Sequence, residues 1–394
     1  MTAPDAAPVL PAGDRPDPAL TRPRDLTPDI VRGLGLLGVA VVNAPLLAPH
    51  AVTTTADKVS SMLATGLLEN RSWPMFALVF GFGIAAIAAK LDRQGLEPRE
   101  RNRVLRRRNL WLFGFGLAQV LIVFWGDILG VYGLTGLVVV ALLRRSTRTK
   151  VTFGVVSAAL WLLGNVVLNL GGTSDEVPDS ASYVTSIGER LEVFVFWTGA
   201  NTVFVTHLAP MLVGVVLFQM GALHRPADHL GLHRRVAVVG VSAGLVGAVP
   251  LCLSNAGVWA PSDTVHAFAL GLHAVTGLAQ GVGYVSLIAW WSARRPADVA
   301  PRGAAALFAA IGRRSLTVYV THSILLGLAL SAWAFDLAPE LTTASTYALG
   351  LGVWVACALV ALLLVRLGRS GPADLLLRRL TYGPTTPAGG PDGR

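Results

Sequence analysis

One late apolar segment carries the residues with the clearest potential for chemistry. Ser315, Tyr319 and His322 follow i, i+4, i+7 spacing, so a helix would place them on one face. At 1.5 Å per residue, about 10 Å separates His322 from Ser315 along that helix. A neutral histidine beside a tyrosine and a serine is suited to proton transfer, whereas a lone buried histidine is more often a satisfied core residue. The sequence leaves both interpretations open.

Three further polar residues lie beside or within apolar runs. Asp127 occupies a very short connection between two runs, where a carboxylate either caps the following helix or faces a wet cavity. Asn43 lies near the far end of the first run, and His50 follows it by seven residues. Because a charged group at membrane depth costs about 2.5–3.5 kcal/mol, polar residues there need a structural or functional reason. The candidate catalytic residues are therefore Asn43, His50, Asp127, Tyr319 and His322.

A second set of candidates consists of arginines at the ends of apolar runs. Arginine binds phosphate through paired hydrogen bonds, so such residues could hold an anionic cofactor. The same arginines are expected from the positive-inside rule, because short cytosolic loops retain Lys and Arg. Charge alone therefore does not separate ligand binding from topology. The candidates are Arg32, Arg106, Arg107, Arg108, Arg313 and Arg314.

Cysteine usage and net charge exclude two classes of partner. The sequence has two cysteines, Cys252 and Cys357, and each lies in an apolar run. Such a pair supports neither a disulfide framework nor a cysteine-based zinc site. The formal charge of +9 could suggest nucleic acid, but no basic soluble segment exists to bind it. We predict no metal and no nucleic-acid partner.

The elements that must position these residues are transmembrane helices. Of 394 residues, 53% are hydrophobic and 14% are charged, against about 25% charged in a soluble protein. Apolar runs of about 20 residues, long enough to span a bilayer as helices, alternate with short polar gaps. A mean hydropathy of +0.58 agrees with this pattern. The predicted fold is an all-α polytopic transmembrane helical bundle, which excludes a soluble enzyme.

Ten spans fit the apolar runs and the charge distribution. Basic residues then fall on one side of the membrane and the acidic stretch 171–192 on the other, which places both termini in the cytosol. Residues 1–29 are predicted as a disordered cytosolic tail, 30–368 as the bundle and 369–394 as a cytosolic C-terminal segment. A short apolar lead-in, 304–311, precedes the ninth span. The predicted spans are 31–48, 72–89, 109–125, 128–143, 151–170, 203–222, 236–255, 267–291, 315–335 and 346–366.

Short motifs with spaced glycine, acidic and basic residues follow one another along the chain. They are Asp29-x-x-Arg32-Gly33 with Asn43, Gly81-x-Gly83, the run Arg106-Arg107-Arg108, Gly126-Asp127-Ile128-Leu129 with Tyr132, Gly312-Arg313-x-Ser315-Leu316-Thr317-x-Tyr319, and Gly371-Pro372-x-Asp374 leading to Arg378-x-Leu380-Thr381-Tyr382-Gly383. As an ordered set they resemble the YeiB-like family of bacterial membrane proteins. The resemblance covers nearly all of the chain after residue 28. It implies a multi-pass protein of the bacterial inner membrane.

Two of these segments are also similar to the heparan-alpha-glucosaminide N-acetyltransferase family. That family has Asp-x-x-Arg-Gly followed by Asn in its first bundle helix, and a late Gly-x-x-Ser-x-x-Val-Tyr-Val-x-His that matches Gly312 to His322. The resemblance implies transfer of an acetyl group from cytosolic acetyl-CoA to an acceptor on the far side of the membrane. It also implies a catalytic role for Asn43, with His50, at a different spacing, as the counterpart of the family's catalytic histidine.

Three functions remain open. The leading hypothesis is an acyltransferase that moves an acyl group from acyl-CoA, with acetyl-CoA favoured, to a small-molecule, lipid or glycan acceptor; membrane lipids surround it. A neutral histidine would accept the acceptor's proton, while Asn or Tyr would donate to the developing oxyanion. The alternatives are a proton-coupled transporter or exporter, with Asp127, His207, His273 and His322 along its path, and a non-catalytic membrane partner protein. The sequence identifies neither the acceptor nor the oligomeric state.

Overall fold

The computed structural model describes residues 26–170, 180–295 and 302–383, and these residues form a helical bundle. Fourteen α-helices and no β-strand occur in these three ranges, which confirms the predicted all-α class. The helices are α1 (Thr27–Leu47), α2 (Thr55–Leu67), α3 (Ser72–Arg93), α4 (Pro98–Ile122), α5 (Ile128–Leu142), α6 (Thr147–Leu170), α7 (Tyr183–Val203), α8 (Leu208–Gln219), α9 (Leu230–Asn255), α10 (Asp263–Ser292), α11 (Ala304–Gly312), α12 (Ser315–Leu330), α13 (Thr343–Arg366) and α14 (Pro372–Tyr382).

Several of these helices have the length and composition of membrane spans. Six helical segments in the described ranges are long and apolar enough to cross a membrane, or seven if the pair α7–α8, bent by 55°, forms one span. Each of the ten predicted spans overlaps one helix, namely α1, α3, α4, α5, α6, α8, α9, α10, α12 or α13. The described residues therefore form a helical bundle with several candidate membrane spans. The number ten and the cytosolic position of the termini stay predictions.

Four helices lie outside the predicted spans: α11 is apolar but too short to cross a bilayer, and polar residues interrupt the other three. α11 coincides with the predicted lead-in, whereas α2, α7 and α14 contain too many polar residues to be recognised. α2 begins with a capping box between Thr54 and Asp57. In α7, Arg190 is buried and donates to the carbonyl oxygens of Val120 (2.9 Å) and Leu121 (3.2 Å), so this polar helix packs against the end of α4.

Helix α1 lies at the centre of the part of the bundle that holds the candidate functional site. It packs against α3, α11, α12 and α13. Leu36 of α1 belongs to the main apolar core together with Phe76 of α3, Tyr132 of α5 and Tyr319 of α12. All four side chains are buried. Burial of large apolar and aromatic side chains fixes the position of these four helices relative to one another.

Two glycines bring the first and the fifth of the motifs into direct contact. A Cβ on Gly33 would collide with the carbonyl oxygen of Phe308, and a Cβ on Gly312 would collide with that of Asp29. Because neither glycine has a Cβ, the backbones of α1 and α11 touch. The start of α1 and the start of α12 therefore lie side by side.

The outer faces of the long helices are apolar. Val155 of α6, Val246 of α9 and Leu359 of α13 are 64%, 72% and 62% exposed. Exposed aliphatic side chains on successive long helices are expected where lipid chains, rather than water, surround a bundle.

Parts of three predicted segments lie outside the described residues. These parts are residues 1–25 of the predicted N-terminal tail, residues 171–179 of the acidic stretch and residues 384–394 of the predicted C-terminal segment. Within the described part, α1 already begins at Thr27. Helix α14 occupies much of the predicted C-terminal segment and packs against α4 and α12.

Candidate functional site

One cavity of about 1030 Å³ is enclosed by α1, α3, α4, α5, α12 and α14, together with the end of α8 and the loop after it. Five arginines line it at one end of the bundle, which we call the arginine end: Arg32, Arg93, Arg108, Arg225 and Arg313. Asp374 is the single acidic residue among the described residues that line it. The cavity therefore carries an excess of positive charge and favours an anionic ligand.

Chain direction explains why these arginines meet. Arg32 lies near the start of α1, Arg93 in the last turn of α3 and Arg108 in the first half of α4. Arg225 follows the end of α8, and Arg313 immediately precedes α12. Because the helices alternate in direction, these positions, remote in sequence, share one end of the bundle.

Arg108 is the most enclosed cation of the cavity. Its guanidinium lies over the ring of Phe80, 5.0 Å from the ring centroid. Its Nη1 atom is buried and has no hydrogen-bond partner among the described residues. A buried donor without an acceptor is costly, so this atom is a candidate contact for an anionic ligand.

Arg32 is held in place by its own helix and by a glycine on the next. Its Nη1 donates to Oδ1 of Asp29 at 3.3 Å, one turn earlier on α1, and Asp29 is buried. A Cβ on Gly83 of α3 would lie 3.2 Å from Nη2 of Arg32. The glycine therefore leaves the space that the guanidinium needs.

Three of the six predicted cofactor-binding arginines do not line the cavity. Arg106 and Arg107 are exposed on α4, on a different face from Arg108. Arg314 is buried but donates from Nε (3.2 Å) and Nη2 (2.6 Å) to the carbonyl oxygen of Arg369, which fastens the connection after α13.

Sequence reasoning missed three basic residues of the cavity, and nothing local in the sequence marks them. Arg93 ends a helix, and His224 and Arg225 occupy the loop after α8. The positive-inside rule predicts basic residues in such loops whether or not they face a ligand. Only the packing of the helices brings them to one cavity.

Tyr319 lines the cavity and is bonded to Asp127. Its hydroxyl donates to Oδ1 of Asp127 at 3.1 Å and accepts from the backbone N–H of Ile128 at 3.1 Å. The other carboxylate oxygen of Asp127 accepts from the backbone N–H of Gly130 at 2.8 Å and caps α5. Of the two roles that the sequence left open, the structure shows the helix cap; Asp127 is fully buried, does not itself line the cavity and contacts it through Tyr319.

His322 lies behind Tyr319 and is not among the residues that line the cavity. The two rings meet edge to face with centroids 5.1 Å apart. Nδ1 of His322 lies 3.3 Å from the carbonyl oxygen of Val318, and Nε2 is buried without a partner among the described residues. If Nδ1 carries the proton, Nε2 is free to accept one. Ser315, the third residue of this predicted face, does line the cavity.

Asn43 and His50 do not line this cavity. Asn43 is buried, and its Nδ2 has no hydrogen-bond partner within the described part of the chain. It precedes Ala44, which packs in one apolar cluster with Leu326, one turn after His322. Asn43 and His322 therefore lie on two helices, α1 and α12, that contact each other. His50 lies in the segment after α1, where its carbonyl oxygen accepts from Thr343.

The histidines of the transporter hypothesis lie in other surroundings. Both ring nitrogens of His273 lie within 3.0 Å of Nη1 of Arg71, which also donates from Nε to Gln280 at 2.8 Å. This buried cluster joins the start of α3 to α10 and is not part of the cavity. His207 packs against the ring of Tyr132, with centroids 5.2 Å apart, but does not line the cavity itself.

Helix α14 supports the site through Asp374. Its carboxylate accepts from the backbone N–H groups of Leu316 (3.2 Å) and Thr317 (3.1 Å) and from the Thr317 hydroxyl (2.7 Å). A residue of one helix thereby caps the start of another, α12, which carries Tyr319. Burial raises the pKa of the Asp374 carboxyl, although the hydrogen bonds from Thr317 and Leu316 lower it.

The fold and the cavity define a class: an all-helical membrane protein with one basic cavity at the end of its bundle. Residues 217–384, from the end of α8 through α14, match the model of a protein family of unknown function, DUF418. The chain is 27% identical to the uncharacterized protein YeiB of Escherichia coli (strain K12) over 398 residues, 93% of this chain and 98% of that protein. It is 20% identical to the uncharacterized protein YxaH of Bacillus subtilis (strain 168) over 410 residues, 93% and 96% of the two chains. The predicted resemblance is confirmed: the chain is similar to these two proteins over most of its length, and residues 217–384 match a family of unknown function.

Proposed function

We propose that this protein is a transmembrane acyltransferase of the bacterial inner membrane. It moves an acyl group from cytosolic acyl-CoA, with acetyl-CoA favoured, to an extracytoplasmic small molecule, lipid or glycan. The arginine end faces the cytosol, in keeping with the positive-inside rule. The observation that carries the proposal is that one cavity connects five arginines with Tyr319, whose hydroxyl is bonded to the buried Asp127.

The arginine end suits a phosphorylated donor that enters from the cytosol. Arg108 offers a buried donor without a protein acceptor, and Arg32 is oriented by Asp29 beside it. Arginine forms charge-assisted, paired hydrogen bonds with phosphate oxygens. Arg93, Arg225 and Arg313 add positive charge at the rim.

The chemistry proposed for the far end of the cavity is acyl transfer with proton removal. The acceptor's oxygen or nitrogen attacks the acyl carbon, a bond to carbon forms, the carbon–sulfur bond breaks, and CoA leaves as the thiol after taking up a proton. The acceptor must lose a proton in the same reaction. Tyr319 can take this proton on its oxygen while its own proton moves to Asp127, because the two are already hydrogen-bonded.

His322 is the other proposed proton acceptor. Its Nε2 has no hydrogen-bond partner within the described residues, and its ring packs against Tyr319. Asn43 lies on the helix that packs against α12 but outside the cavity lining, so its proposed role as donor to the oxyanion on the acyl group rests on the family resemblance alone. The similarity of these segments to an acetyltransferase family supports this arrangement.

A second function, proton-coupled transport, is favoured by Asp127 itself. This carboxylate is fully buried, and the partners of its oxygens are a tyrosine hydroxyl and a backbone N–H. A buried acid without a cationic partner is a frequent feature of proton pathways in membrane transporters.

The decisive experiment measures binding on the purified protein and label transfer in envelope vesicles that contain the same protein. Acetyl-CoA should raise the melting temperature of the protein in detergent, and envelope vesicles should incorporate label from radioactive acetyl-CoA into lipid or glycan. Tyr319→Phe should abolish incorporation but keep the acetyl-CoA-dependent shift in melting temperature. If both signals are absent and the protein takes up a small molecule into liposomes in a proton-coupled way, the acyltransferase proposal fails and the transporter proposal takes its place.

A further inference from the structure

The environment of Arg108 indicates where in the cavity a ligand's charge lies. This arginine is not at the rim: its Nη1 is buried, and its guanidinium covers Phe80 in the interior. Its two preceding neighbours, Arg106 and Arg107, are exposed on other faces of the same helix. An arginine that only orients the chain in the membrane need not be buried, because its positive charge acts at the membrane surface.

A second guanidinium belongs to the same part of the cavity. Nη2 of Arg32 lies beside Gly83, one turn after Phe80, over which the Arg108 guanidinium lies. The pair Asp29–Arg32 neutralises one of the two charges, and Gly83 leaves room for the Arg32 head group. Nη1 of Arg108 stays without a hydrogen-bond partner among the described residues, so an anion that contacts both guanidinium groups is favoured there.

The interior beyond the two arginines has a different character. It is lined by Phe76, Phe80, Leu112, Leu129 and Tyr132. Among these, only Tyr132 carries a polar group, and its hydroxyl donates to the carbonyl oxygen of Trp73 at 2.8 Å. Apart from the hydroxyl of Tyr319, which also lines the cavity, this lining favours a ligand that is charged at one end and uncharged, with apolar or aromatic contacts, over the rest.

We propose that Arg32 and Arg108 form a clamp for one phosphate group inside the cavity, and that the uncharged remainder of the ligand lies along Phe76, Phe80 and Tyr132. The ligand class is an organic phosphate with an uncharged tail. Two sources share this chemistry: a CoA thioester and a phosphorylated lipid. Only the choice of CoA as one of the two sources rests on the proposed function. The clamp itself is inferred from the residues of the cavity and requires no reaction.

The test is a binding titration on the full-length protein in a neutral detergent. The probes are acetyl-CoA, oleoyl lysophosphatidic acid, and the corresponding uncharged monoacylglycerol. Arg108→Lys keeps the positive charge but loses the planar pair of donors, so it should weaken binding of the phosphorylated probe by about 10-fold or more. Arg107→Lys, on the same helix but exposed, is the matched control and should bind as the unsubstituted protein does.

A second variant makes the test independent of folding effects at Arg108. Arg32→Lys changes the other half of the clamp and should weaken the same probe, and both variants should keep the melting temperature of the ligand-free protein. Binding of acetyl-CoA but not the lipid supports the clamp with CoA as its source. Binding of the lipid but not acetyl-CoA supports the clamp and removes CoA from the proposed function.

Two results would overturn the clamp. One is equal binding of the phosphorylated and uncharged lipids together with no binding of acetyl-CoA. The other is unchanged affinity of Arg108→Lys for the phosphorylated probe. If label transfer from acetyl-CoA then persists in Arg108→Lys with an unchanged KM, the acyltransferase stands and the clamp alone fails.

Discussion

The hydroxyl of Tyr319 donates to Oδ1 of Asp127 at 3.1 Å, across 192 positions of sequence. This bond joins the helix that carries the late motif, α12, to the turn before α5. It links a side chain that lines the cavity to a carboxylate that is fully buried. In the proposed mechanism, this hydrogen bond is the route by which a proton leaves the cavity.

Removing this hydroxyl should stop turnover without affecting donor binding. Tyr319→Phe keeps the ring against His322 but loses the bond to Asp127. General acid–base groups contribute about 10²–10⁴-fold, so kcat for label transfer from acetyl-CoA should fall by about 100-fold or more with little change in KM. Ser323→Ala is the control, because its hydroxyl bonds to a backbone carbonyl of the same helix. Full activity of Tyr319→Phe would exclude this pair from the mechanism.

The role of His322 can be separated from that of Tyr319. If the Tyr319–Asp127 pair accepts the proton, His322→Gln loses mainly packing against the tyrosine ring, and kcat should fall by about 10-fold or less, short of the loss expected for a general base. The pH profile of kcat should keep its shape in this variant. A loss larger than that of Tyr319→Phe, with an altered pH profile, would instead assign the base to His322.

Gly83 should tune the affinity for the phosphate. In Gly83→Ala the new Cβ lies 3.2 Å from Nη2 of Arg32, so the guanidinium must shift by a few tenths of an ångström. Binding of acetyl-CoA should weaken by about 3- to 10-fold, equivalent to about 0.7–1.4 kcal/mol. Gly352→Ala on α13, where no atom lies within 4 Å of the new Cβ, should leave binding unchanged. Equal affinities of both variants for acetyl-CoA would show that Arg32 does not contact the ligand.

Asp374 should stabilise the protein most in acid. Burial raises the pKa of the Asp374 carboxyl in the folded protein above its pKa in the unfolded chain. The contribution of Asp374 to the free energy of unfolding is therefore complete below the unfolded pKa and is lost as the pH rises through the folded pKa. Asp374→Ala should lower the melting temperature, because replacement of a capping side chain by alanine costs about 0.5–2 kcal/mol. The difference between the two proteins should be larger at about pH 4 than at about pH 7. A difference that grows towards neutral pH would contradict this.

Labelling of introduced cysteines can test the orientation. Ala56 of α2 and Arg107 of α4 are exposed, whereas both native cysteines are buried. A membrane-impermeant maleimide should label Ala56→Cys in intact cells and Arg107→Cys only after permeabilisation. The opposite result would invert the topology and move the arginine end out of the cytosol.

The sequence predicted individual helices better than it predicted their number. Apolar runs identify helices such as α1 and α13 directly, because lipid and protein core both accept apolar side chains. Polar helices such as α7 escape this search, since Arg190 and its acidic neighbours interrupt the run. The break between α7 and α8 also escapes it, because Phe204 and Val205 continue the apolar pattern where the chain turns.

The order of the motifs was visible in the sequence, but their convergence was not. The glycine, arginine and aspartate motifs predicted polar positions in α1, α5 and α12, and similarity to a membrane-protein family supported them. Tertiary packing decided which of these residues share a cavity. It placed Arg108 inside and Arg106 and Arg107 outside, because successive positions on a helix point about 100° apart.

Composition and pattern by themselves therefore determined a membrane-embedded helical bundle with basic residues gathered near helix ends, because the bilayer imposes helical spans and a charge asymmetry on any such chain. Only the tertiary structure decided that Tyr319 meets Asp127, and that Asp374, from a helix outside the predicted spans, caps α12. These contacts depend on the rotation and close approach of helices distant in sequence. That geometry follows from the packing of side chains and glycines between helices, which no single segment of the sequence contains.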